Sequence, residues 1–280
     1  MFIVEEKVLS KQIKRVMITG VGGFVGAHLL AHIMKNTDWE VVGVDSFRHK
    51  GKTDRISDLL SSYPDYRERI SIVTHDLLAP ISSQLDANMG NIDYVFSVAS
   101  ESHVDRSISS PRSFIENNVG IVLTLLEWLK EHPEVKHFIQ ISTDEVYGPA
   151  EDKDHPEGDP HRPSNPYAAS KAAQEDICFA YWRTYNLPIT IINCMNMIGE
   201  MQDVEKFVPK TIKALQEKVE VTVHVSPEGV AGSRYYLHAR NLADALIYLI
   251  KRSPTRYPAD DIDRFNIVSS DEINNLQMVN

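Results

Sequence analysis

Between Lys14 and Ile33 a short apolar strand runs through a glycine turn straight into a helix, and no other stretch restricts the fold so sharply. Gly20, Gly23 and Gly26 fall three apart. In dinucleotide-binding folds each such glycine has a mechanical use: a tight exit from the strand, a close backbone approach to a pyrophosphate, and close packing of helix on sheet. The following helix turns its free N–H groups and the positive end of its dipole toward the turn, which suits phosphate. A glycine triplet alone also fits a plain turn, so its flanks carry the weight. Val16-Met17-Ile18 reads as a buried strand before it, and Leu29, Leu30 and Ile33 repeat at helical spacing after it. A second strand, Glu40–Asp45, ends in an acid about 20 residues past the glycines, the spacing at which a carboxylate meets a ribose.

The 280 residues, 42% apolar and 24% charged, are enough for a full core. A formal charge of −10 with no basic stripe argues against a nucleic-acid partner. An anionic ligand must then be held locally, by helix N-termini and single Lys or Arg residues. Cys178 and Cys194 are the only cysteines, and neither lies in a C-x-x-C or a His/Cys cluster. No disulfide scaffold or metal site is expected, and a reducing compartment is. The arm from Met1 to Lys14 has no signal-peptide core and no apolar run approaches membrane-spanning length, so the expected location is cytoplasmic, with no membrane partner.

Further strands are expected at Arg69–Asp76, Asn91–Ser100, His137–Thr143 and Leu187–Cys194. Helices are expected within 46–66, over Pro111–Glu131 and from Tyr167 onward. Near-continuous apolar strands alternating with helices call for the α/β class, a Rossmann-type doubly wound parallel sheet covered on both faces. Ligands of such sheets bind at the strand carboxyl ends. Those ends carry Asp45, Asp76, the run Ser100-Glu-Ser-His-Val-Asp-Arg106 and the run Thr143-Asp-Glu-Val-Tyr-Gly148. Beyond Asn196 the pattern changes to a helix over 204–218, a short strand Val221–Val225, a helix Arg240–Arg252 and a strand Phe265–Val268, with no closing helix before Asn280. The expected division is a nucleotide-binding domain over 1–195 and a smaller, partly interleaved substrate region over 196–280, incomplete at its C-terminus.

Tyr167 and Lys171 lie four apart at a helix start and project from one face. An ammonium beside a phenol favours the phenolate and makes tyrosine a usable base near neutral pH. Thr143 ends the fifth strand, where its hydroxyl can bond the substrate hydroxyl that Tyr167 deprotonates. Asp144 and Glu145 follow at once, and carboxylates sharing a site have their pKa values pushed apart, leaving one acid and one base. That is the equipment for eliminating water. His28 and His32 are four apart but lack the intervening Glu and third ligand of a metal site. Ser100, Ser102 and His103 lack the G-x-S-x-G elbow of a hydrolase.

Thr19-Gly-x-x-Gly-Phe-x-Gly26, Asp45, Asp76, Tyr167-x-x-x-Lys171 and Asn196 together resemble the extended short-chain dehydrogenase/reductase superfamily that acts on nucleotide sugars. Within it, Ala99–Ile108 and Ser142–Gly148 are similar to the dTDP-glucose 4,6-dehydratase group. The resemblance implies NAD as cofactor, held by Gly20, Gly23, Phe24, Val25, Gly26, Asp45, Asp76, Leu77, Ala99, Tyr167 and Lys171. It implies a lyase that oxidises the sugar at C4, eliminates water across C5–C6 and returns the hydride to C6. Tyr167, Lys171 and Thr143 would handle the 4-hydroxyl, Glu145 the C5 proton and Asp144 the departing 6-hydroxyl. Ser102, His103, Asn118, Asn196, Lys206 and Arg234 match substrate-side positions. A carboxylate at Asp45 favours NAD over NADP, with Arg48 and Lys50 nearby weighing the other way. Asn193 stands where an arginine is usual, and Met197 and Ile198 stand where Asn and Tyr are. A homodimer through the helices 111–131 and 166–185 is implied by analogy. A nucleotide-sugar 4-epimerase, or a catalytically weak NAD-binding protein, would use the same glycine turn and remains open at this point.

Overall fold

The computed structural model describes residues 13–150, 154–252 and 261–279. The N-terminal arm read above thus lies almost wholly outside the described residues. The first half alternates strand and helix: β1 (Arg15–Thr19), α1 (Phe24–Asn36), β2 (Glu40–Asp45), α2 (Thr53–Ser62), β3 (Ile70–Thr74), α3 (Ser83–Met89), β4 (Tyr94–Ser97), α4 (Val104–Ser109), α5 (Pro111–Lys130) and β5 (His137–Thr143). There follow α6 (Pro166–Tyr185), β6 (Ile189–Cys194), β7 (Met197–Ile198), α7 (Phe207–Glu217), β8 (Ser233–Arg234), β9 (Leu237–His238), α8 (Ala239–Arg252), β10 (Asp263–Ile267), β11 (Ile273–Asn274) and α9 (Asn275–Val279). Seven strands form one parallel sheet in the order β10-β6-β5-β4-β1-β2-β3, the doubly wound Rossmann arrangement.

The apolar runs explain the layers. Val16 and Ile18 of β1 pack on one face with Leu29, Leu30 and Ile33 of α1 and Leu242, Leu246 and Ile250 of α8. Met17 points the other way, into a second core with Val122, Leu125 and Leu129 of α5 and Cys178 and Trp182 of α6. Alternation along one strand thus feeds two cores. Pro166 at the first turn of α6 and the side chain of Asn165, which accepts from the Ala168 N–H, start that helix. Asn186 in the left-handed conformation stops it.

Strand order reverses between β1 and β4, which opens a crevice at their carboxyl ends. Thr19 builds that crevice. Its hydroxyl accepts from the N–H groups of Val98 (3.0 Å) and Ala99 (3.1 Å), and so peels the chain away from the sheet. This ends β4 at Ser97 rather than at the expected Ser100. Two other expectations are corrected. Val221–Val225 forms no strand but only an isolated bridge of Val225 to Ala231, a local hairpin with no sheet edge to join. A short helix, α9, does follow β11 near the end. β10 lies in the main sheet beside β6, and α8 packs on α1.

Candidate active site

One continuous cleft runs along the carboxyl ends of the strands, and it is lined by the glycine turn, Asp45, Asp76, Leu77, Ala99, Ser102, His103, Thr143, Glu145, Tyr167, Lys171, Asn196 and Lys206. The residues expected to hold a dinucleotide and most of those expected to hold a sugar therefore share a single cavity. Asp144, Asn118 and Arg234 do not line it.

At the turn, the glycines are demanded by contact. A Cβ on Gly26 would lie 2.1 Å from the carbonyl oxygen of Gly20, and one on Gly20, at φ +68°, would lie 2.9 Å from Ala99 Cα. Gly23 begins α1 with no side-chain cap, and no acid occupies the first turn. The orphan N–H groups of that turn are thus left for an anion. Asp45 accepts from the backbone N–H groups of Gly22 (2.9 Å) and Phe47 (2.8 Å), which fixes its carboxylate at the cleft wall. These features fit a dinucleotide: a cradle too tight for side chains, an uncapped helix start and a carboxylate at ribose distance along the chain. Arg48 pairs with Asp76 at 2.7 Å, and Lys50 pairs with Asp203 and Glu205 at 3.4 and 3.1 Å. Both basic groups that weighed toward NADP are thereby engaged with acids.

Further in, β5 delivers Thr143 and a 3-10 turn delivers Asp144 and Glu145. The Thr143 hydroxyl donates to Asp144 at 3.1 Å and bonds the Tyr167 phenol. Glu145 accepts from the Asn165 side-chain amide at 3.0 Å. Burial, followed by the charge of Glu145, pushes the Asp144 carboxyl up to about 6. Two neighbouring carboxylates thus sit in unequal environments.

Tyr167 and Lys171 face the same cleft, but not in the relation expected. The Lys171 ammonium donates to the Ile141 carbonyl (2.6 Å) and the Gln174 side chain (2.5 Å), and burial lowers it to about 8. Burial and then Glu145 raise the Tyr167 phenol well above its ordinary value, with Thr143 opposing them. The expected lowering of the phenol by the lysine is therefore reversed in the protein by itself.

Asn118 is fully buried behind the cleft. Its amide accepts from the Glu101 N–H (2.8 Å) and donates to the Glu101 carbonyl (3.0 Å) and the Ser170 hydroxyl (2.8 Å). It positions the wall and has no group left for a substrate, which corrects the expected contact. Lys206 donates to the Ser102 carbonyl at 2.7 Å, joining two expected substrate residues across the cleft, and burial lowers its pKa. His103 starts α4 by accepting from the Arg106 N–H at 3.4 Å. Arg234 lies outside the lining, yet its charge reaches Asp144 and lowers it. Asn193, the departure from arginine, donates to the Thr143 carbonyl (3.1 Å) and to the buried Glu175 (2.7 Å). Glu175 is also met by Ser142, His161 and Arg264, so a cation from β10 stands near the carboxylate beside which an arginine would have stood. Asn165 was missed as a site residue, although Asn-Pro before the Tyr-x-x-x-Lys motif marked a helix cap.

The chain matches the model of the NAD dependent epimerase/dehydratase family over residues 16–266. The low-salt glycan biosynthesis protein Agl12 of Haloferax volcanii is 31% identical over 262 residues, which span 94% of this chain and 79% of the relative. The dTDP-glucose 4,6-dehydratase of Neisseria gonorrhoeae is 34% identical over 278 residues, spanning 95% and 76%. The crystal structure of DesIV, a dTDP-glucose 4,6-dehydratase from Streptomyces venezuelae with NAD and TYD bound, superposes with a TM-score of 0.82 at 28% identity, covering 95% of this chain and 79% of that one. UDP-glucuronic acid 4-epimerase from Bacillus cereus, at 23% identity and a TM-score of 0.82, shares the fold. On the match of most of its length and on these identities, the chain belongs to the NAD dependent epimerase/dehydratase family.

Proposed function

We propose that this protein is an NAD-dependent nucleotide-sugar 4,6-dehydratase of the dTDP- or UDP-glucose type. The observation that carries the reading is the adjacent pair Asp144 and Glu145 beside Tyr167, with the Asp144 carboxyl held up to about 6. The dinucleotide, when bound, supplies hydride acceptance from sugar C4 and its return to C6. In this reading Tyr167 takes the 4-hydroxyl proton while the Thr143 hydroxyl holds the same oxygen, and Lys171 keeps strand and helix in register through Ile141 and Gln174. Oxidation at C4 acidifies C5–H, which Glu145, oriented by Asn165, removes. Asp144, raised toward neutrality, protonates the departing 6-hydroxyl. Ser102, His103, Asn196, Lys206 and Arg234 are assigned to the nucleotide-diphosphate side, with 196–280 as the substrate region grafted onto a nucleotide domain over 1–195.

Incubation with dTDP- and UDP-glucose should give a 4-keto product read by its absorbance in alkali. No keto product from any nucleotide hexose, with NAD bound, rejects the assignment. A second reading, a nucleotide-sugar 4-epimerase, is favoured by one observation: Asp144 does not line the cleft. Glu145→Gln separates the two, because it should abolish dehydration and leave a 4-epimerase largely unaffected. We further infer a homodimer through α5 and α6, whose Ile115, Leu123 and Tyr185 are exposed, which light scattering tests directly. The free, buried Cys178 and Cys194 accord with a reducing, cytoplasmic setting.

A further inference from the structure

Arg55 is the most fully engaged cation near the glycine turn, and neither the dinucleotide cradle nor the sugar chemistry uses it. It lies in the first turns of α2 and is 4% exposed. Its guanidinium makes four hydrogen bonds to three backbone carbonyls: to Gly22 (2.7 Å), to Lys50 (2.9 Å), and twice to Met201 (3.2 and 2.9 Å). Those carbonyls belong to the glycine turn, to the β2–α2 segment and to the segment after β7. The planar fork of an arginine can bind three diverging carbonyls at once, which a lysine cannot.

Two further observations show that the segments are built around this contact. Met201 holds φ +62° and Phe47 holds φ +50°, left-handed conformations that are costly for residues with a Cβ. Met201 meets the guanidinium through its carbonyl from that conformation. The Phe47 ring covers Gly22 so closely that a Cβ there would lie 2.7 Å from it, while the Gly22 carbonyl also accepts from the Lys52 N–H at 2.8 Å. Outside this buried knot, Lys50 reaches Asp203 and Glu205, and His49 reaches Glu101 at 2.5 Å. His49, Lys50, Arg55, Gln202 and Asp203 all line the same cleft as the glycine turn.

We propose that Arg55 is a positioning residue that clasps segment 199–206 to the glycine turn and thereby retains the dinucleotide between the two hydride transfers, with Lys50–Asp203 as the outer half of the clasp. The proposal rests on the dinucleotide reading of the cleft given above. An enzyme whose cofactor ends each cycle unchanged gains nothing from releasing it, so a fastener on the cofactor wall matches that reaction economy.

The test loads radiolabelled NAD onto the wild-type protein and the variants Arg55→Ala, Arg55→Lys and Lys50→Ala, then follows release during a chase with unlabelled NAD. Release should be at least tenfold faster for Arg55→Ala, intermediate for Arg55→Lys, and about threefold faster for Lys50→Ala. A merely structural Arg55 would lower the thermal midpoint without changing release from the folded fraction. Should Arg55→Ala not fold, the half-exposed Lys50, with Asp203→Asn beside it, decides by the same criterion. Wild-type protein that holds the label while the folded variants release it at the same rate overturns the clasp alone. Wild-type protein that takes up no label overturns the dinucleotide reading and the clasp with it.

Discussion

Replacing Asp144 by Asn should stabilise the protein at neutral pH while removing dehydration. Burial first, and the Glu145 charge second, raise this carboxyl from 3.8 to about 6. The folded protein keeps the proton up to that value, whereas the unfolded chain releases it near 3.8, so stability falls as pH rises between the two and the penalty is complete above 6. A shift of about two units corresponds to roughly 3 kcal/mol at most. Partial solvent access to the side chain reduces this to about 1–2 kcal/mol. At roughly 2–4 °C per kcal/mol for a chain of this size, Asp144→Asn should melt several degrees higher at pH 8 and at nearly the wild-type temperature at pH 4. Thermal melts across that range, run beside the keto-product assay, measure both halves. The gain should shrink in a Glu145→Gln background, because the second cause of the shift is then gone. A gain that is equal at both pH values, or absent at pH 8, refutes the electrostatic reasoning.

Gly26→Ala should cost about 3 kcal/mol, the upper end of overpacking, because a Cβ 2.1 Å from the Gly20 carbonyl forces α1 off the strand end; urea titration and NAD binding should both report the loss. Asn165→Ala should cost about 1 kcal/mol for the lost α6 cap and reduce dehydration further by freeing Glu145, while Asn165→Asp should keep the cap yet lose both stability and activity through repulsion of Glu145. Asn118→Ala leaves the Glu101 N–H and carbonyl unpaired and should cost about 2–3 kcal/mol in denaturant melts, with no direct effect on KM. The Glu175 hydrogen bond raises the pKa of His161, so the stabilisation is present at low pH and is lost as pH rises through the folded value; His161→Gln should flatten that alkaline decline in melts from pH 5 to 9.

The parts of this molecule legible in its sequence are those whose partners lie close along the chain. Gly20, Gly23 and Gly26 constrain one another within a single turn, and Tyr167 and Lys171 share one face of α6, so spacing alone exposes them. The contacts that spacing does not reveal act across long separations. Thr19 meets Ala99 80 residues away, Asn165 meets Glu145 20 residues away, and Arg55 meets Met201 146 residues away. No local period encodes such contacts, in which a side chain bonds to a distant backbone group or, for Asn165, to a carboxylate.

Tyr167 and Lys171 mark a different limit, one of environment rather than distance. Their spacing puts both on one face of α6, but spacing says nothing of where the ammonium points or how deeply the phenol is buried. In the fold the Lys171 ammonium is spent on Ile141 and Gln174, while burial first and the Glu145 charge second raise the phenol well above its ordinary value. Burial and the Glu145 charge both lie outside what a four-residue spacing can encode, since the first depends on the packed cleft and the second on a carboxylate 22 residues earlier in the chain.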